Sequence, residues 1–462
     1  MKRIKMVFVI FCSLGGITAR AQSVTPNLRP FPNGSGLLET YNTNKTAINR
    51  DSAFFQSLGS NGRSCASCHE LAEGMSISAA GVQTRFIQSR GNDPIFRTND
   101  GSNCDHGIDT SSLEGKRKAY SLLLSRGLIR VTIHVPADAE FTVQNVSNPY
   151  GCNDAATLSL YRRPLPATNL NFLSTVMWDG RESTPPATQK ITYPDKGQLL
   201  ADLAQQAIDA VTGHEQGATP SPAQVQDMVN FETSLRTAQA IDYLAGPLNI
   251  GGANGGPVAL ASQPFFVGIN DSFPSSLGLN PTGAAFNPTI FNLFEAWEKS
   301  LGRRASIARG EALFNSKPIT ISGVAGLNDV PGIPSSFSGT CGTCHDTPGV
   351  GNHSVSVPLD IGVADTASSL DVSYLPVFTL KNKATGAIVK TTDPGRALIT
   401  GSWSDIGKVK GPILRGLASR APYFHNGSAA TLADVIEFYE KRFSLSLSDQ
   451  EKADLIAFLN AL

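Results

Sequence analysis

The sequence predicts a globular, mainly α chain of two domains. Three observations carry that expectation. The length of 462 residues is enough for two ordinary domains with sizeable cores. Hydrophobic residues make up 41% and charged residues 16%, the balance of a packed protein and not of a disordered or coiled one. The strongest local periodicities are helical. One five-residue pattern, C-x-x-C-H, also occurs once in each half: Cys65, Cys68 and His69, then Cys341, Cys344 and His345.

Taken in order, the chain opens with Lys2, Arg3 and Lys5, an apolar run from Met6 to Leu14, and Ala19-Arg20-Ala21. These are the parts of an export signal over residues 1–21, so the mature chain is expected to begin near Gln22, in the periplasm. The run is too short for a membrane span, no other stretch is apolar enough, and Cys12 leaves with the signal. An N-terminal domain over 22–245 starts with a Pro- and Gly-rich arm, and Leu37 to Leu58 reads as a helix ending at Gly59. Residues 91–160 read as an insertion. Within it Ile129, Val131, Ile133 and Val135 alternate with polar residues, as a strand requires. Gln198 to Thr212 reads as a helix closed by Gly213. Pro222 to Leu244 reads as another, with Val225, Met228, Val229, Leu235 and Ile241 inward. Residues 246–263 read as a crossover into a C-terminal domain over 264–462. Its GGANGG run lacks the context of a phosphate cradle. Helices are expected over 286–301 and 304–315, loops and short strands over 346–411. Two capping boxes, Thr431 with Asp434 and Ser448 with Glu451, start the last helices. Leu432, Val435, Ile436 and Tyr439 share one face of the first, and Leu455, Ile456, Leu459 and Leu462 are buried by the second.

C-x-x-C-H is the pattern that attaches a c-type haem. Two thiols add across the two vinyl groups, and the histidine that follows becomes the iron's proximal ligand. The competing reading is a four-cysteine zinc site. That needs no adjacent histidine and brings its cysteine pairs much closer in sequence. Cys104 and Cys152 are left over, as a disulfide in an oxidising compartment or as two separate buried thiols. Basic and acidic residues balance at 38 each, so no overall field recruits nucleic acid. Methionine, the usual sixth ligand of a high-potential c haem, stands at 1, 6, 75, 177 and 228, never after the second motif. If the C-terminal domain supplies its own ligand, the candidates are Tyr439, His425, His353 or a lysine. Periodicity alone makes Tyr439 a core residue.

Further stretches carry a resemblance. Gly411 to Tyr439 (GPILRGLASRAPYFHNGSAATLADVIEFY), YRRPLPATN from Tyr161, Trp178-Asp179-Gly180-Arg181 and TTDPGRALITG from Thr391 resemble the bacterial diheme cytochrome c peroxidase and MauG family. The resemblance covers most of the mature chain outside 91–160. It implies two mainly helical cytochrome c-like domains, each with one covalently bound c-type haem, joined by long loops, with the β-containing insertion added. It implies that the N-terminal haem meets peroxide and the C-terminal haem relays electrons. Trp178 matches the tryptophan between the haems. Gln206 matches a glutamine lining the peroxide pocket. The distal acid's place falls at His214 and Glu215, either of which would move a proton between the peroxide oxygens. Tyr439 matches a position held by Met in the peroxidases and by Tyr in MauG-like enzymes, which would make it an iron ligand beside His69 and His345. His425 would support the second haem. A calcium ion between domains is also implied, with no ligands mapped in this sequence.

The expected function is therefore reduction of hydrogen peroxide with electrons from a small redox protein, a cytochrome c or cupredoxin. A MauG-like variant would instead oxidise residues of a partner protein through a high-valent diheme state, and Tyr439 favours it. Oxygen-dependent cleavage, as in diheme rubber oxygenases, accommodates the insertion but has no sequence support. A plain diheme electron carrier would need no peroxide pocket.

Overall fold

The computed structural model describes residues 24–183, 196–277 and 280–462. The expected export signal lies outside them. Among the described residues, helices and strands share the architecture, so the expectation of a mainly α fold is corrected to a mixed one. In chain order the principal elements are β1 (Gly36–Asn42), α1 (Ala79–Ser89), β2 (Ile129–His134), β3 (Phe141–Ser147), β4 (Thr157–Arg162), α2 (Lys196–Gly213) and α3 (Pro222–Ser234). They continue with β5 (Leu235–Asp242), α4 (Gly302–Ser316), β6 (Val377–Asn382), β7 (Ile388–Thr391), α5 (Leu432–Phe443) and α6 (Asp449–Asn460).

Two predicted helices fail and a third is cut short, each for a visible reason. Leu37 to Leu58 begins as β1, in which Leu38, Thr40 and Asn42 are buried alternately, a period of two. The helix from Pro222 stops at Ser234 and the chain continues as β5, antiparallel to β1. Asn169 holds the extended form: its amide accepts from the Thr237 N–H and donates to the Thr237 carbonyl, both at 2.9 Å. Residues 286–301 form only one short turn, Glu295–Trp297. There Glu311 accepts the N–H groups of Leu293 at 2.6 Å and Phe294 at 2.9 Å, so those donors need no helix. The strand read at 129–135, the helices at 198–212 and 304–315, and both C-terminal helices with their capping boxes are found.

Two large apolar cores result. One gathers Phe291, Trp297, Ile307, Phe314 and Phe458 around α4 and α6. The other gathers Phe54, Met75, Phe172, Leu203 and Met228 around α2 and α3. The insertion is tied to the far half of the chain: β3 pairs with β6, which pairs with β7. Phe141, Leu158, Phe378 and Leu380 close a smaller core beneath. Cys104 and Cys152 are bridged, Cα to Cα 5.7 Å.

Candidate functional site

The two C-x-x-C-H segments fold the same way. Each is one tight turn, and its last N–H, that of His69 or His345, donates to the first cysteine's carbonyl, at 3.1 and 3.0 Å. The Ser64 and Thr340 N–H groups donate to the Ser67 and Thr343 hydroxyls, at 3.0 and 2.9 Å, which closes each turn. Six residues past each histidine a carbonyl meets its ring: Nδ1 of His69 donates to Met75 at 2.9 Å, Nδ1 of His345 to Gly351 at 2.8 Å. A carbonyl only accepts, so Nδ1 carries the proton and Nε2 keeps its lone pair. A phenylalanine flanks each ring, Phe54 at 6.2 Å and Phe314 at 6.0 Å between centroids. Burial pushes the His69 pKa down to about 4 and lowers that of His345, keeping both rings neutral.

Each turn opens on its own cavity. The first, with about 1470 Å³ of empty space counted out to solvent, is lined by Cys65, Cys68 and His69 together with Trp178, Gln206, His214 and Glu215. The second, about 1800 Å³ on the same measure, is lined by Cys341, Cys344 and His345 with His353, His425, Tyr439 and again Trp178. The residues fit covalently held haem. None of the four motif cysteines is in a disulfide, and burial disfavours the charged form of each thiol, raising Cys68 to about 11 and Cys341 and Cys344 to about 12. Arg415, buried in the wall of the first cavity, has no partner for any guanidinium nitrogen among the described residues. A buried cation without a partner is costly, and a carboxylate-bearing ligand such as a haem propionate would satisfy it.

Trp178 stands in both walls and is 9% exposed. Its Nε1–H donates to the Arg163 carbonyl at 2.8 Å, and its own carbonyl accepts from the Lys410 N–H at 2.8 Å. The stretches around it converge on one ion network. Arg162 grips Asp393 with two hydrogen bonds, at 2.7 and 2.8 Å, and also reaches Asp179. Arg181 reaches Asp179 at 2.9 Å, and Arg396 donates to the Asp179 carbonyl at 3.0 Å. Despite complete burial, these cations hold the Asp179 and Asp393 carboxyls below the usual carboxylate range. Gly180 has φ +73°, and a Cβ there would lie 2.7 Å from Arg396 Nη1, so the turn after Trp178 needs glycine.

Gln206 sits on α2, where Leu203, Gln206, Ala207 and Ala210 form the stripe facing the first cavity. His214 and Glu215 follow the end of that helix and stand in different surroundings. Glu215 is buried. Its carboxylate accepts from the Leu58 N–H at 2.9 Å and lies 3.7 Å from Cys65 Sγ. His214 is 40% exposed, and its Nδ1 makes a short contact with Asp100. Asp100 also receives Arg63, two residues before Cys65. Sequence reasoning missed Asp100, which lies in the insertion, and Glu232 on α3. Glu232 is buried in the first cavity, with one carboxylate oxygen unpartnered among the described residues, and burial raises its pKa to about 8. In the second cavity Tyr439 is partly buried, stacked 6.1 Å from Phe443, and desolvation raises its pKa. His353, His425 and Lys410 line the same cavity. The calcium ion acquires no ligand set here. The one cluster of three or more His, Cys, Asp or Glu ligand atoms among the described residues surrounds the Cys104–Cys152 bridge.

Two twin C-x-x-C-H turns, each beside its own cavity, define the class: a c-type cytochrome. Part of the chain is similar to bacterial cytochrome-c peroxidases. It is 33% identical over 135 residues to cytochrome-c peroxidase IdrP2 of Denitromonas iodatirespirans, a match covering 27% of this chain and 36% of the relative. It is 40% identical over 81 residues to cytochrome-c peroxidase IdrP1 of the same organism, covering 15% and 22%. The matches thus span about a third or less of those relatives' lengths. No family model matches. Among solved structures, a MauG-like protein associated with microbial copper homeostasis gives a TM-score of 0.37 at 16% identity, over 89% of this chain and 85% of that one. Hydrazine synthase of Kuenenia stuttgartiensis gives 0.30 at 15%, over 84% and 93%. Neither likeness carries an argument. No described helix is long and apolar enough to cross a membrane.

Proposed function

We propose that the chain is a periplasmic diheme peroxidase. It would reduce hydrogen peroxide at a haem held by Cys65, Cys68 and His69. Electrons would come from a small cytochrome c or cupredoxin through a second haem, held by Cys341, Cys344 and His345. The observation that supports this most is the position of Trp178 in the walls of both cavities, because a π system between two redox sites shortens the electron path. The two haems, when bound, supply the two electrons that turn one peroxide and two protons into two waters.

The chain's residues supply the rest. His214, with Nδ1 held by Asp100, presents its other nitrogen for taking a proton from one peroxide oxygen and returning it to the other. Gln206, on the cavity-facing stripe of α2, offers an amide to orient the substrate. Glu215 has a supporting role, since its carboxylate already serves the Leu58 N–H beside Cys65. A MauG-like reading, in which a partner protein is oxidised, is favoured by Tyr439 as the tyrosine of the second cavity and by the lack of methionine after residue 228.

The experiment is a peroxide titration of the fully oxidised holoprotein, followed by optical and electron paramagnetic resonance spectra. Reaction only after half-reduction, returning simply oxidised haem, supports the peroxidase. Reaction of the fully oxidised form with a long-lived product supports the MauG-like reading. Two low-spin irons and no reaction in either state would leave an electron carrier and end both.

A further inference from the structure

The insertion holds a second concentration of ligand chemistry, unconnected with the haem cavities. Around the bridge stand Asp105 and His106. Cys104 Sγ is 3.5 Å from His106 Nδ1 and 3.9 Å from Asp105 Oδ1. Cys152 Sγ is 4.0 Å from the same nitrogen and 3.8 Å from the same oxygen. These spacings are informative. In a tetrahedral site with Zn–S of about 2.3 Å and Zn–N or Zn–O of about 2.0–2.1 Å, a sulfur lies roughly 3.5–3.6 Å from each nitrogen or oxygen ligand and about 3.8 Å from the other sulfur. The four cross-distances sit at or slightly above that edge length. Only the sulfur–sulfur edge, closed by the bond, and the 2.7 Å contact of Asp105 with His106 must open.

We infer that Cys104, Asp105, His106 and Cys152 form a redox-gated metal site. Bridged, the sulfurs close it; reduced, the four residues take a thiophilic divalent cation, Zn²⁺. The step balances. A dithiol gives two electrons and two protons to the bridge and becomes a disulfide, leaving two cysteine thiols. Metal binding then expels the two thiol protons. The rest of the site is ready for the change. Arg130 holds Asp105 through Oδ2 at 2.8 Å, orienting the carboxylate while Oδ1 faces the sulfurs. The sulfurs are buried, whereas the His106 and Asp105 side chains are 71% and 48% exposed, which gives the cation a way in. Coordination would keep the 104 and 152 loops tied after the covalent tie is gone.

The test uses the full chain with its haems. The protein is reduced with a water-soluble phosphine, desalted without oxygen and equilibrated with Zn²⁺ under a chromophoric chelator. In parallel it is equilibrated with Co²⁺, whose thiolate charge-transfer band reports sulfur ligation. The Cys104→Ser/Cys152→Ser variant sets the background from any thiols of the haem turns. The expected result is one equivalent of metal above background in the reduced protein, none in the oxidised one, and a cobalt–thiolate band. The Asp105→Asn/His106→Ala variant keeps the bridge and is expected to weaken binding at least ~10-fold. The inference is overturned if reduced protein binds no more than oxidised. It is equally overturned if the Asp105/His106 variant binds as tightly, or if the bridge resists reduction while the fold persists.

Discussion

Tyr439 lines the second cavity and is the residue most open to a single-atom test. Tyr439→Phe removes only the hydroxyl, and Phe keeps the stack on Phe443. If that oxygen ligates the iron, the optical and electron paramagnetic resonance spectra of the second haem change; an unaltered low-spin spectrum removes Tyr439 as a ligand. In the first cavity the matching substitution is His214→Ala. It should slow the reaction with peroxide by ~10²-fold and leave the resting spectrum alone. An unchanged rate assigns the proton transfer elsewhere. Glu232 makes a pH prediction. Its folded pKa, about 8, lies above its ordinary value of 4.5, because burial disfavours the charged form. Below that ordinary value the acid is neutral in both states and costs nothing. As pH rises toward about 8 the unfolded chain releases the proton first, so stability falls across that window and levels beyond it. Glu232→Gln should abolish this fall, on the order of 5 kcal/mol, in urea unfolding at the two ends of the window. Identical pH profiles for the two proteins would count against a buried, unpaired Glu232.

At the scale of elements, the sequence was most legible where local signals agree with tertiary demand. Thr431 with Asp434 and Ser448 with Glu451 announce α5 and α6 because a side chain caps its own helix, whatever packs nearby. Thr431→Ala should cost about 1 kcal/mol, a small downward shift in melting temperature. Legibility ends where distant side chains set the backbone. Neither Asn169 bracketing Thr237 nor Glu311 collecting two backbone N–H groups is visible in the residues it controls, so β5 and the 286–301 stretch were read as helices. The pairing of β3 with β6 is hidden for the same reason: strand register across more than 200 residues has no local signature. The two C-x-x-C-H segments were readable as a matched pair, since the motif is defined by spacing alone, and both fold as the same tight turn. Asp100 was not, because nothing near it in sequence shows that it will meet His214 and Arg63.

Across the whole molecule, the tie between the two cavities is an ion network that joins distant stretches, with Trp178 above it. Arg162 is its centre, serving Asp179 and Asp393 at once with almost no exposure. Arg162→Met would leave two buried carboxylates short of their cation, a loss of roughly 3–5 kcal/mol in unfolding free energy. The tryptophan itself can be tested apart from stability. Trp178→Phe keeps an aromatic ring between the cavities but removes the indole and the hydrogen bond to the Arg163 carbonyl. If electrons pass between the haems by way of Trp178, rapid-mixing of half-reduced protein with peroxide should show slower oxidation of the second haem. The first haem's initial reaction and both resting spectra should be preserved. Slowing of both phases together would mean that the substitution has disturbed the first cavity. An unchanged second phase would mean that the electron path runs elsewhere and that Trp178 only fills the wall the two cavities share.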